Sequence, residues 1–230
     1  MRAQTLAALN EARTAKRRVC LVRYLESGGE ALIVDGEVRL GDVLPEVAEA
    51  AATALRRDQS ATVETEGGRA FLQVFNPPLR LLVLGAVHIA QALVPMASLA
   101  GYQVTVVDPR RAFATDSRFP DVAMTQDWPD EAMQALAPDR RTAVVALTHD
   151  PKLDDPGLDV ALRSEAFYIA ALGSRRTHAG RLERLAGLGH DAATLARIHG
   201  PAGLDIGAVS PAEIAVSVLA EMTRVLRGAG

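Results

Sequence analysis

The chain has 230 residues, 49% of them hydrophobic and 23% charged, with a formal net charge of -3. That size and composition suit a globular protein with a real core, and the slight acidity removes the positive field that a nucleic-acid backbone would need. Cys20 alone excludes an internal disulfide, no apolar run reaches the roughly 18 residues of a membrane span, and the N-terminus is too charged for a signal peptide, so a cytoplasmic protein with neither nucleic acid nor membrane as partner is expected.

Residues 2 to about 16 read as a helix carrying Leu6 and Leu9, and residues 18–24 alternate in the manner of a half-buried strand. Ser27-Gly28-Gly29 turns the chain into a strand at 31–34, and Asp35-Gly36 is a two-residue hairpin signal before Glu37–Leu40. Val43, Val47, Ala51 and Leu55 recur at helical spacing over 42–57. A second hairpin joins Ala61–Thr65 to 69–75 across Glu66-Gly67-Gly68. Residues 1–76 thus form a small α+β domain, closed by Asn76-Pro77-Pro78 because prolines cannot continue a strand's hydrogen-bond ladder.

Residues 79–230 follow another pattern. Nearly all-apolar runs at 81–84, 104–107, 143–147 and 167–172 alternate with helical stretches, with a weaker strand at 122–125. Strands apolar on both faces are covered on both faces, which marks a parallel sheet between helix layers. The fold class is therefore α/β, a doubly wound Rossmann-type parallel sheet preceded by the small α+β domain. The last helix opens at Ser210-Pro211-Ala212-Glu213, a capping box with proline in its first turn.

Ligands of such sheets bind beyond the carboxyl ends of the strands, so the loops there carry the candidate residues. After the first strand, Gly85-Ala86-Val87-His88 resembles a dinucleotide fingerprint in which Val87 replaces the second glycine. A plain strand-to-helix turn reads equally well. Asp108 follows Gly85 by 23 positions, the place of a ribose-binding acid, with Arg110 and Arg111 behind it. Thr148, His149 and Asp150 end another buried strand and are expected to face the loop at His88. Gly173-Ser174-Arg175-Arg176 enters a helix with Ser174 as N-cap, a combination suited to a phosphate or carboxylate. His199, Gly203 and Asp205 lie in an ordered glycine-proline loop before the last helix. His88, His149 and His199 are expected to share one rim. Their spacing matches no zinc pattern, so no metal ligand is assigned, and proton handling or hydrogen bonding to a heterocycle remain open.

Taken together, these loops resemble the XdhC/CoxI family, accessory proteins that mature xanthine dehydrogenase and related molybdenum hydroxylases. The resemblance rests on Leu84-Gly85-Ala86 with His88, Val106-Val107-Asp108, Phe113-Ala114 with Arg118-Phe119-Pro120, and Thr148-His149-Asp150. It continues through Tyr168-Ile169, the block from Ala171 to Thr177, the block from Gly203 to Ala208, and the helix start from Pro211 to Ser217. Two departures stand out. Val87 occupies the family's second glycine, and the shortened first domain has Leu40-Gly41-Asp42-Val43 near the place of a glycine-glycine-cysteine element.

The resemblance implies a cofactor-binding chaperone rather than a turnover enzyme. It would bind molybdenum cofactor (molybdopterin), assist its sulfuration with a cysteine desulfurase, and deliver it to the subunit of an apo molybdenum hydroxylase. A homodimer is also expected. The cofactor-binding residues would be Gly85, His88, Asp108, Thr148, His149, Asp150, Gly173, Ser174, Arg175, Arg176, His199, Gly203 and Asp205. The alternatives are an NAD(P)-dependent Rossmann oxidoreductase, favoured by Gly85 and Asp108, and a scaffold that binds no cofactor.

Overall fold

The computed structural model describes residues 1–113, 115 and 117–228, so Ala114 of the Phe113-Ala114 motif lies outside the described residues. The chain divides into two compact units, Met1–Pro77 and Pro78–Gly230.

The first unit runs α1 (Ala3–Thr14), β1 (Val19–Tyr24), β2 (Glu30–Val34), β3 (Glu37–Leu40), α2 (Pro45–Arg57), β4 (Ala61–Thr65) and β5 (Gly68–Phe75). Its antiparallel sheet has the order β3-β2-β1-β5-β4. Val34 pairs with Glu37 across Asp35 and Gly36, both at positive φ, as a two-residue hairpin requires. The central strand differs from its half-buried expectation: Val19, Cys20, Leu21 and Val22 are all fully buried. Cys20 and Val22 pack with α2, while Val19 and Leu21 pack with α1, so a helix covers each face.

The second unit runs β6 (Leu79–Leu84), α3 (His88–Leu99), β7 (Tyr102–Val107), β8 (Ala123–Thr125), α4 (Pro129–Leu136), β9 (Thr142–Ala146), α5 (Pro151–Arg163), β10 (Tyr168–Ala171), α6 (Arg175–Gly187), α7 (Ala192–Leu195), β11 (Ile198–His199) and α8 (Pro211–Arg227). Its six strands lie parallel in the order β11-β10-β9-β6-β7-β8, the doubly wound order. Alternate residues of β6 feed two cores. Leu81 and Val83 meet α3 and α8, whereas Leu82 and Leu84 meet the layer containing α5 and α6. The strand order reverses between β6 and β9, the point at whose carboxyl ends doubly wound sheets form their ligand crevice.

The helix starts follow their sequence signals. Ser210 and Glu213 form a reciprocal capping box on α8, and Ser174 accepts from the Thr177 amide at 3.1 Å as N-cap of α6. Asp150 caps α5 by accepting from the Lys152 amide at 2.9 Å.

Candidate functional site at the carboxyl ends of the parallel strands

At the reversal point, Gly85 leaves β6 with φ of +109°, and Thr148 at the end of β9 packs its methyl directly against the glycine. Any Cβ at Gly85 would collide with that methyl. Gly85 is thus required by the close approach of two loops, in the place where the fingerprint puts its tight turn.

The Thr148 loop is organised from beneath by Asp154, a residue of α5 that is 1% exposed. Its carboxylate accepts from the Thr148 hydroxyl (2.6 Å), the Thr148 amide (3.3 Å) and the His149 amide (3.0 Å). His149 is thereby held in the left-handed region, φ +64°, with its ring exposed. Burial raises the Asp154 pKa above the ordinary carboxylate value, against the pull of these hydrogen bonds and of Arg181. Arg181 of α6, 2% exposed, lies 3.8 Å from Asp154 and donates to the Leu172 carbonyl at 2.9 Å. Its Nε and Nη1 are buried without a hydrogen-bond partner among the described residues. Burial lowers its pKa. The pair joins the end of β9 to the end of β10.

Asp108, at the end of β7, is fully buried. Burial would raise its pKa, but hydrogen bonds from Arg110 and from the Ala86 amide hold it below the ordinary value. Its carboxylate is thus engaged within the protein and faces no open space. Asp108, by hydrogen bond and charge, raises the Arg110 pKa, and the charges of Asp150 and Asp154 act in the same direction.

A second feature lies at the ends of β10 and β11. A cavity of about 360 Å³ is lined by Leu172, Arg175, the loop from Pro201 to Ala208, Ile214 and Ser217. Arg175 and the exposed Asp205 bring opposite charges to it. Arg175 and Arg176 are exposed beside the Ser174 cap and, among the described residues, make no hydrogen bond or ion pair. Gly173 sits at φ +142° against Thr177.

His199 does not join the rim expected for it. Its Nδ1 lies 3.2 Å from Glu221 of α8, and its ring stacks on Tyr168 at 4.8 Å between centroids. Glu221 also accepts from the Tyr168 hydroxyl (2.7 Å) and the Gly203 amide (3.0 Å). The physical reason is β11: pairing with Ala170 turns His199 toward the α8 side of the sheet, where a buried carboxylate needs donors. Gly203, at φ +93°, has its α-carbon packed against Ser217 and the backbone of α8, so it serves that contact. His88 is exposed at the first position of α3, whose N-cap, Val87, offers no side-chain bond.

Asp154, Arg181 and Glu221 went unread in the sequence. Each sits on the apolar stripe of its helix, Asp154 with Leu158 and Ala161, Arg181 with Leu185, and Glu221 with Val218. A charge on an apolar stripe was the available signal. Among the described residues, no group of three or more His, Cys, Asp or Glu could hold a metal ion.

A doubly wound parallel sheet with polar loops at its carboxyl ends defines a Rossmann-type domain. Residues 81–222 match the XdhC Rossmann domain, and the chain belongs to the XdhC family. It is 34% identical over 151 residues to an Escherichia coli K12 protein named molybdenum cofactor insertion chaperone PaoD, covering 66% of this chain and 41% of that protein. It is also 34% identical over 156 residues to a Bacillus subtilis 168 protein named as a probable subunit of xanthine dehydrogenase, covering 66% of this chain and 44% of that one. A crystal structure described as a xanthine dehydrogenase from Bacillus halodurans superposes with a TM-score of 0.68 at 25% identity, over 99% of this chain and 65% of that one. The chain spans less than half the length of these two curated relatives.

Proposed function

We propose that the chain is an accessory factor for a molybdenum hydroxylase of the xanthine or carbon monoxide dehydrogenase type. In this reading it holds molybdenum cofactor (molybdopterin) at the carboxyl edge of the parallel sheet, assists its sulfuration with a cysteine desulfurase, and hands it to the subunit of the apo-hydroxylase, working as a homodimer. The relative named as a molybdenum cofactor insertion chaperone supports the role. The observation that carries it for this chain is the pair of exposed arginines, Arg175 and Arg176, without partners among the described residues, at the capped start of α6, with Arg175 on the 360 Å³ cavity.

The residues fit such a ligand. The volume falls within the ~300–1,000 Å³ usual for small-molecule sites. Arg175, Arg176 and the first amides of α6 would take the phosphate, because permanent charge and oriented N–H groups act together there. Leu172, Ile206 and Ile214 would cover a flat ring, and Asp205 would accept from its N–H groups. Thr148, His149, Asp150, His88 and Gly85, at the ends of β6 and β9, would border the rest of the ligand. When bound, the cofactor would supply the metal centre that the hydroxylase requires.

Calorimetric titration of the purified protein with molybdopterin, and separately with NAD and NADP, tests the reading. Saturable molybdopterin binding with no nicotinamide-dinucleotide binding is expected. The reverse pattern overturns it.

A further inference from the structure

In dinucleotide-binding sheets of this strand order, an acid at the end of the second strand accepts from ribose hydroxyls, and first-loop amides face the pyrophosphate. Asp108 stands at that position with its acceptors already filled. Oδ1 accepts from the amide and Nε of Arg110, both at 2.9 Å, while Oδ2 accepts from the Ala86 amide at 2.8 Å and Arg110 Nη2 at 2.7 Å. An ionised carboxylate offers about four lone-pair positions, so no place is left for a diol. The same arrangement turns the Ala86 amide inward, away from any phosphate above the loop.

Arg110 is itself held. Its guanidinium lies over the Phe113 ring, 4.5 Å from the centroid, and Arg118 lies 5.7 Å from the same ring. Arg118 donates to the Phe113 carbonyl (3.0 Å) and to Gln91 of α3 (3.1 Å). The tie therefore runs from the first loop through Asp108, Arg110 and Phe113 back to α3, across the β6–β7 half of the crevice.

We propose that Arg110 is a specificity-determining residue: by saturating Asp108 it closes the ribose subsite, so the domain takes ligands with no nucleoside in the β6–β7 half and rejects dinucleotides. Val87 acts in the same direction, since a side chain there narrows the approach of a pyrophosphate to the backbone. The β10 half stays open, with Arg175 and Arg176 unpartnered among the described residues. The proposal concerns what the first half turns away, so it stands or falls separately from molybdopterin binding.

ADP-ribose, which carries the ribose diol and pyrophosphate of a dinucleotide, is the probe. It is titrated calorimetrically into the wild-type protein, Arg110→Ala and Arg110→Gln, each checked for folding by a thermal melt. The wild type is expected to give no saturable heat. Arg110→Ala keeps the backbone bond to Asp108 but vacates the two side-chain bonds, and its affinity should exceed the wild-type limit by at least tenfold, about 1.4 kcal/mol. Arg110→Gln keeps part of the stem and can fill only one vacated position, so it should gain less, and it serves as the folded variant if alanine unfolds the loop. Adding Asp108→Asn to either variant should abolish the gain. Saturable ADP-ribose binding by the wild type overturns the proposal. So does a folded variant set with no gain, or a gain that survives loss of the Asp108 carboxylate.

Discussion

The methyl of Thr148 rests on the α-carbon of Gly85, locking the loop after β6 to the loop after β9 where the strand order reverses. Gly85→Ala should therefore destabilise the protein twice over, through a residue at φ +109° and through collision with Thr148. A loss of about 2–4 kcal/mol is expected in urea unfolding. Thr148→Ser removes the methyl but keeps the hydroxyl bond to Asp154. In a double-mutant cycle it should recover part of that loss, about 1 kcal/mol or more. Strict additivity would show that the two residues do not share this contact.

Asp154 and Arg181 form a buried pair, and removing either one strands the other. Asp154→Ala should cost about 3–5 kcal/mol, because three loop hydrogen bonds vanish and the buried guanidinium of Arg181 loses its nearest carboxylate. Asp154→Ala with Arg181→Met should be more stable than Asp154→Ala by itself, since no unpaired charge remains. Chemical denaturation of the three variants checks the order.

Asp108 is expected to stabilise the fold in a pH-dependent way. Its folded pKa lies below the ordinary 3.8, so its contribution is complete above about pH 4 and is lost as pH falls through the lower folded value. The stability gap between the wild type and Asp108→Asn should then be constant near neutrality and shrink in acid. Urea midpoints measured from neutral pH downward give the gap. A gap that widens in acid contradicts the sign.

The arginines at the start of α6 test the proposed phosphate site. Replacing both Arg175 and Arg176 with alanine should weaken molybdopterin binding at least tenfold, since charge-assisted hydrogen bonds are lost. The thermal melt should hardly move, because exposed side chains without partners contribute little to stability. His199→Ala should behave in the opposite manner, lowering stability by about 1 kcal/mol through its Glu221 and Tyr168 contacts while leaving affinity unchanged. Strong loss of affinity in the histidine variant would move the binding site to α8.

Cys20 is fully buried in β1, and burial pushes its pKa up to about 11. It should be silent to a thiol reagent in the native protein and react stoichiometrically in denaturant. Rapid labelling without denaturant would show that the first unit opens.

The parallel sheet was legible because its strands are apolar on both faces, and the strand-end loops were legible because topology fixes where polar residues gather. β11 escaped notice: a two-residue strand has no periodicity, yet it decides which way His199 points. Asp108 was found by spacing, but its use was not, since spacing cannot show that Arg110 folds back onto it. Asp154 and Arg181 lie on different helices, and only packing brings them together. The local pattern records which face a residue occupies, whereas the partner comes from chain folding over long separations.

Gly157 carries a consequence for how such a crevice can change over time. An added Cβ there would lie 2.5 Å from Leu84 Cδ1 and 3.2 Å from Pro129 Cβ. Leu84 immediately precedes Gly85, and Asp154 lies one turn before Gly157 on α5, so this glycine sets the standoff between helix and sheet on which the loop geometry depends. A single methyl at 157 would crowd the Leu84 side chain and Pro129 beneath the bed of Thr148 without touching any ligand-facing group. Drift in the width of the crevice is therefore to be sought first in the spacing of its supports, in a residue that no ligand could reach.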